Sequence, residues 1–276
     1  MRVLLHLSLL LAIVVSSPAQ SVKVMTYNIR YDTPVDSINQ WPKRMFKVID
    51  LIRKYDPDIL GIQEAIHHQV TDLLKSFPDY NYIGVGRDDG KNKGEFSAIL
   101  YKKERFSVVK QNTFWLSEQP EIPGSKSWDA AITRVATWGR FMDSKTKKMF
   151  FVMNTHFDHI GKEARTKSAE LLKQKVYELG ADLPVIVTGD FNCTREQPPY
   201  AAIMKSDGVV LIDSFTGIPT GTACGFKVNA RACVAIDYIF HSAQWATGDY
   251  KVIQDNDGKY YPSDHLPVMA TLSIKK

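Results

Sequence analysis

The order of the short apolar runs limits what this chain of 276 residues can fold into. Residues 22–29, rich in β-branched and aromatic side chains, read as a strand. A helix opening at Pro42 follows. Its Met45, Ile49, Ile52 and Tyr55 recur every three or four positions, and Asp56-Pro57-Asp58 ends it. A strand at 59–62, a helix over 67–76 and a strand near 80–85 complete an alternating first part. Helices then vanish: the strands 96–101, 106–115, 133–141 and 148–155 follow one another directly and predict antiparallel pairing. Between the second and third of these lies a loop, 117–131, long enough to suggest a functional role. Alternation resumes with a helix over 162–179, a strand at 185–187, a short helix after Pro199, and strands near 234–240, 250–253 and 266–274. Such an order predicts two mixed sheets packed face to face with helices outside. No Gly/Ser/Pro-rich linker divides it, so one domain over residues 21–276 is expected.

Residues 1–20 stand apart. Behind Arg2, an apolar run over 3–15 is too short for a comfortable membrane span. Small residues at Ser17 and Ala19 follow it, as at the cleavage site of a signal peptide; an uncleaved N-terminal anchor is the alternative. No cysteine stands there to take a lipid, and no later apolar stretch has membrane length. A periplasmic or secreted protein, expected to be a monomer, is the reading. Arg2 is the leader's only charge, so the whole-chain net of +5 becomes +4 without it. That mild excess does not announce a nucleic-acid binder, and the Lys102/Lys103 and Lys145/Lys147/Lys148 clusters read as solvated turns. With 44% hydrophobic and 24% charged residues, disorder is excluded. Three cysteines cannot organise a fold of this size. Cys224 and Cys233 could pair or remain thiols, with Cys193 left over.

Acids, amides and histidines gather where the apolar runs end, which is where ligands sit in α/β proteins. Asn28 ends the first strand and Glu64 the second. Asn154, His156, Asp158 and His159 follow the run 150–153, and Asp190 and Asn192 follow 184–189. Asp237 interrupts an apolar run, and Asp264-His265 precedes the last strand. Taken singly, most have an ordinary explanation in turn chemistry. Asp237 does not, because a lone buried carboxylate needs a partner, and a histidine is the obvious one. Several acids and amides converging point to a hard divalent cation, Mg²⁺ or Mn²⁺, rather than zinc.

Taken in order, Met25-Thr26-Tyr27-Asn28-Ile29, Ile62-Gln63-Glu64, Asn154-Thr155-His156, Gly189-Asp190-Phe191-Asn192, Ile236-Asp237-Tyr238 and Ser263-Asp264-His265-Leu266-Pro267-Val268 resemble the motif set of the endonuclease/exonuclease/phosphatase superfamily. Trp115-Leu116-Ser117, residues 124–129 and Tyr261-Pro262 further resemble an exported bacterial branch. The resemblance implies a four-layer α/β sandwich and Mg²⁺-dependent phosphoester hydrolysis. It implies Glu64, Asn28 and Asp264 as metal ligands and Asp190 and Asn192 as holders of the attacking water. His265, oriented by Asp237, would contact the phosphoryl group, and His156 would donate to a phosphate oxygen; the general base is left open between Asp190 and His265.

Arg30, Asp158 and Arg165 are weaker candidates for binding substrate. Arg165 is equally explained as a solvated helix position, Asp158 and His159 as loop residues, and Trp41 and Arg44 as a packing pair at a helix start. Asn192-Cys193-Thr194 matches a glycosylation sequon by accident, since a sugar there would block the site. Export removes chromosomal repair and favours a phosphodiesterase or phosphatase acting on a phosphoester outside the cytoplasm. A secreted nuclease is the runner-up, with nucleic acid a disfavoured partner, and a catalytically silent binding module comes third.

Overall fold

The computed structural model describes residues 20–217 and 220–275; the expected leader, apart from Gln20, lies outside the described residues. β1 (Ser21–Asn28) leads through a 3-10 turn (Pro34–Asn39) into α1 (Trp41–Tyr55), which returns the chain to β2 (Ile59–Ala65), parallel to β1. Pro42 occupies the first turn of α1, and Asp56 closes the helix in a left-handed conformation, its N–H bonded to the Ile52 carbonyl. Next come α2 (His67–Ser76), β3 (Tyr80–Ile83) and β4 (Phe96–Lys102), the last antiparallel to both β2 and β3. The chain then crosses to a second sheet through β5 (Phe106–Trp115), β6 (Val135–Asp143) and β7 (Met149–His156). α3 (Lys162–Gly180) carries it to β8 (Val185–Asp190), parallel to β7. After α4 (Pro198–Met204), β9 (Leu211–Asp213) and β10 (Asp237–Ser242), it re-enters the first sheet as β11 (Trp245–Val252) and β12 (Val268–Ile274).

The two six-stranded sheets run β11-β12-β1-β2-β4-β3 and β5-β6-β7-β8-β10-β9, both mixed, with helices outside, so the expected four-layer sandwich is the observed fold. The residue pattern explains why the central strands read as unbroken apolar runs: β2, β7, β8 and β10 bury both faces, while the edge strands β5 and β11 expose one. Met25, Leu60 and Leu100 turn outward beneath α1 and α2. Met153, Val185, Val187 and Phe240 turn outward beneath α3 and α4. Their neighbours Val24, Ile59, Ile99, Val152, Ile186 and Ile239 fill the space between the sheets.

A buried polar cluster centred on Asn154 interrupts that apolar interface. Asn154 of β7 is fully buried; its Nδ2 donates to the carbonyls of Ile62 and Ala98 on the opposite sheet, both at 2.9 Å. Its Oδ1 accepts from Gln63 Nε2 at 2.7 Å and Thr188 Oγ1 at 3.0 Å. With all four capacities used, the amide costs nothing in unmet hydrogen bonds and pins the sheets in one relative position. Gly61 permits the approach, since a Cβ there would lie 2.4 Å from Thr188 Oγ1 and 2.6 Å from Asn154 Oδ1.

Several sequence expectations change. The strand expected from Val234 begins at Asp237, so that acid starts its strand instead of interrupting it; Val234 makes only an isolated bridge to Ala223. β9 and the 3-10 turn carry no periodic signal and were not expected. Cys224 and Cys233 form a disulfide, and Cys193 is a buried free thiol. No helix among the described residues is long and apolar enough to cross a membrane. Gly61→Ala should lower stability by ~1–3 kcal/mol through overpacking against Asn154 and Thr188; urea unfolding followed by circular dichroism measures it, and an unchanged midpoint would remove the pin.

Candidate active site

Strand register brings the polar residues to one end of the sandwich. His156 is paired with Asp190 across the parallel β7 and β8, and Asp190 with Asp237 across the antiparallel β8 and β10. On the other sheet Asn28 lies opposite Gln63, one residue before Glu64. A register shift between Ile62 and Ala65 interrupts the β2–β4 ladder there, and Glu64 takes a left-handed backbone (φ 63°). Such an irregularity re-aims a side chain: Gln63 stays between the sheets, bonded to Thr26 and Asn154, while Glu64 turns to the cleft. Arg30 (φ 56°) and Asn192 (φ 47°) share this conformation. For non-glycine residues it costs about 1 kcal/mol or more and persists only where the surroundings enforce it.

The enforcement is visible. The buried Arg44 donates to the carbonyls of Ile29, Arg30, Asn39 and Pro262, tying the exit of β1 to the segment before Asp264. Gln69 donates to the Arg30 carbonyl, and Ser263 Oγ to that of Asn28. Trp41 and Arg44 are therefore the packing pair, with the guanidinium over both the Trp41 and Phe226 rings. The lobe closed by the disulfide holds the far side. The N–H groups of Cys224 and Gly225 both donate to the Asp264 carbonyl, and Thr222 Oγ1 accepts from the Asp237 N–H.

Within this frame His265 Nδ1 lies 2.9 Å from Asp237 Oδ2 and 3.8 Å from Asp190 Oδ2. Burial alone would lower the histidine's pKa, but Asp237 and Asp190 outweigh it and hold it well above the usual value. Asp190, buried and facing Asp237, is pushed up to about 7. Its Oδ2 accepts from Asn28 Nδ2 at 3.0 Å, and its Oδ1 from the Asn192 N–H. Burial would also raise Glu64, yet the Asn28 hydrogen bond, His265 and Arg30 bring it below the ordinary carboxylate value. His156 contacts Asn192 Nδ2 at 3.0 Å; burial, then Arg134 and Arg87, hold it well below the usual imidazole value and thus neutral. The arrangement supplies a base that titrates near neutrality, a charged donor and a neutral imidazole around one space.

Acidic and amide groups here fit a divalent cation. Asp190, Asp237 and His265 present ligand atoms within 4.8 Å of one another. Asp264, raised by burial and by the neighbouring Glu64, shares Arg30 with Glu64 as counter-ion, and both offer oxygens of the kind Mg²⁺ or Mn²⁺ takes. Asn28, expected as a ligand, already bridges the acids of this group. Its Nδ2 donates to Glu64 and Asp190 and its Oδ1 accepts from the Arg30 N–H, so it holds the two acids together.

Two residues expected to bind substrate are corrected. Asp158 is buried, its oxygens accepting the N–H groups of Ala131, Ile132, Ile160 and Gly161, so it fastens two loops. Arg165 is buried as well, donating to the Asp158 carbonyl. Arg30 does reach the site, on the flank of Glu64. Sequence reasoning missed Arg87, Glu95 and Arg134. Glu95 Oε2 lies 2.6 Å from Arg87 Nη1, 3.9 Å from Arg134 and 4.0 Å from His156 Nδ1. Its signal was available, since Glu95 directly precedes the apolar run of β4.

Comparison with known proteins shows the family to which this fold belongs. A family model described as the Endonuclease/Exonuclease/phosphatase family matches residues 25–265. A crystal structure of a protein of that family from Bacteroides thetaiotaomicron is 38% identical, with a TM-score of 0.89 over 94% of this chain and 100% of that one. The mannosyl-6-phosphatase of Bacteroides thetaiotaomicron VPI-5482 is 39% identical, with a TM-score of 0.85 over 91% of this chain and 99% of its own. Uncharacterized protein L388 of Acanthamoeba polyphaga mimivirus is 28% identical over 272 residues, which cover 90% of this chain and 98% of that protein.

A pH signature follows for the metal-free protein. Because the folded-state pKa of His265 is raised, its contribution to stability is complete below the unfolded value of about 6.5 and disappears as pH rises through the folded value. Asp237→Asn should move the His265 titration midpoint down by a unit or more, read by NMR in the presence of EDTA. A midpoint that stays put would dissolve the pair.

Proposed function

Since the chain belongs to the endonuclease/exonuclease/phosphatase family, we propose that it is an exported, Mg²⁺- or Mn²⁺-dependent hydrolase of small phosphoesters, with sugar phosphomonoesters as the lead substrates. The observation that carries this reading is the pairing of Asp190, titrating near neutrality, with the protonated His265–Asp237 couple at 3.8 Å. A base works best with a pKa near the working pH, so Asp190 accepts the proton of the attacking water while Asn192 orients that water. His265 keeps one ring N–H on Asp237 and directs the other to a phosphoryl oxygen, with Asp237 fixing its orientation and stabilising its charge. His156, kept neutral, lends a ring nitrogen without adding charge. Glu64 and Asp264 would hold a cation, with Asn28 positioning Glu64, and a bound cation would supply charge neutralisation at the phosphate.

Support for sugar phosphates comes from the likeness to the mannosyl-6-phosphatase over nearly the full length of both chains. The mild net charge supports a small substrate over a nucleic-acid backbone, whose binding rests on many Lys and Arg contacts. Export rests on the leader-like residues 1–20.

Purified protein with Mn²⁺ should release phosphate from mannose 6-phosphate and from p-nitrophenyl phosphate faster than it cleaves bis-p-nitrophenyl phosphate, plasmid DNA or an RNA oligonucleotide, and EDTA should stop it. Preferential cleavage of either nucleic acid would overturn the substrate, and turnover in EDTA would overturn the mechanism. Asp190→Ala and His265→Ala should each lower kcat by about 10²–10⁴ with the circular dichroism spectrum unchanged; retained activity would move the chemistry elsewhere.

A further inference from the structure

The guanidinium of Arg30 sits between two sets of carboxylates. On one side it makes a two-pronged pair with Asp36, Nε to Oδ2 at 3.0 Å and Nη2 to Oδ1 at 3.1 Å. On the other, Nη1 is 3.6 Å from Glu64 Oε2 and Nε is 4.0 Å from Asp264 Oδ2, the two acids assigned to the cation. Neither distance on that side is a hydrogen bond, so the interaction there is charge alone. The backbone is fixed: Arg30 is left-handed, its N–H is on Asn28 Oδ1, and its carbonyl accepts from Arg44 and Gln69. The side chain is directed by its hydrogen bonds to Asp36, while Glu64 and Asp264 act on it through charge. Asp36 is delivered by the 3-10 turn, which is kinked at Ser37 (φ 50°, ψ −107°), and the guanidinium also rests on the Tyr31 ring, 4.6 Å from its centroid.

We propose that Arg30 is a built-in competitor for the divalent cation, and that Asp36 is the counter-ion that already holds the Arg30 guanidinium back from the carboxylates of Glu64 and Asp264, between which the cation would bind. The inference rests on the cation site proposed above. A fixed positive charge beside two cation-binding carboxylates keeps them ionised and apart, and it opposes the arrival of a second positive charge. Asp36 offsets that opposition by drawing the charge away. The pair therefore sets how tightly the site holds its ion without supplying a ligand to it.

The signs of the two single variants are opposite, which a merely structural role would not produce. Titration of the full-length folded protein with MnCl₂ at pH 8 by calorimetry, with electron paramagnetic resonance counting free Mn²⁺, reads affinity without any turnover. Arg30→Gln should tighten Mn²⁺ binding about tenfold, and Asp36→Asn should weaken it severalfold. In the double variant Asp36→Asn should have no further effect, because no arginine is left to release. Equal or weaker binding by Arg30→Gln, or an Asp36→Asn effect that survives in the double variant, overturns the proposal while leaving the hydrolase reading intact. A wild-type protein that binds no Mn²⁺ removes the cation site and this proposal together. Circular dichroism on each variant separates loss of the fold from loss of the effect.

Discussion

Everything at the cleft depends on an amide buried where amides rarely sit. Asn154 lies at the centre of a small polar cluster, with Gln63, Thr26 and Thr188, between two sheets whose facing side chains are mostly aliphatic and aromatic, and leaving any of its donors or acceptors unmet would cost ~1–3 kcal/mol each. Its partners stand on β2, β4 and β8, so only one relative placement of the sheets satisfies it. Apolar packing alone tolerates sliding; a four-way hydrogen-bonded amide does not. The site needs that rigidity, because Asn28 and Glu64 come from one sheet while His156, Asp190 and Asp237 come from the other. A shift of an ångström between layers would part Asn28 from Asp190, now 3.0 Å apart.

Where the sequence was readable, the physics was local. Strands buried on both faces had to be apolar throughout, and polar residues at their ends marked the cleft. The pattern of helix-rich and helix-free stretches carried the two-sheet architecture. What could not be read was non-local. Asp158 and Glu95 are both acids beside apolar strands, and only the structure tells that backbone N–H groups already occupy one while arginines and a histidine surround the other. Glu64 was legible as the polar end of its strand, but the register shift that turns it to the cleft was not. Arg44 was balanced between cleft and packing because its type suits both; four carbonyls decided for packing.

The site also shows how acids are kept close without collapsing into neutrality. Glu64, Asp190, Asp237 and Asp264 would repel one another in a dry cleft. His265 answers Asp237 and Asp190, Arg30 stands beside Glu64 and Asp264, and Asn28 supplies neutral hydrogen bonds between two of them. Burial differentiates the result: Asp190 is left near neutrality while Glu64 stays ionised. Carboxyl groups of one chemical type thus acquire different tasks from position alone.

The pairing of β1 with β12 has a temporal consequence. Among the described residues, the first strand in chain order is flanked in the finished sheet by the twelfth, β12, and His265 lies just before β12. A growing chain that has already laid down Asn28, Glu64, His156, Asp190 and Asp237 still has β1 as an open edge and lacks its imidazolium. Closure of the first sheet and the arrival of His265 at the cleft therefore depend on one and the same segment, His265 to Ile274, so an edge left open and a cleft lacking its imidazole are a single state of the chain.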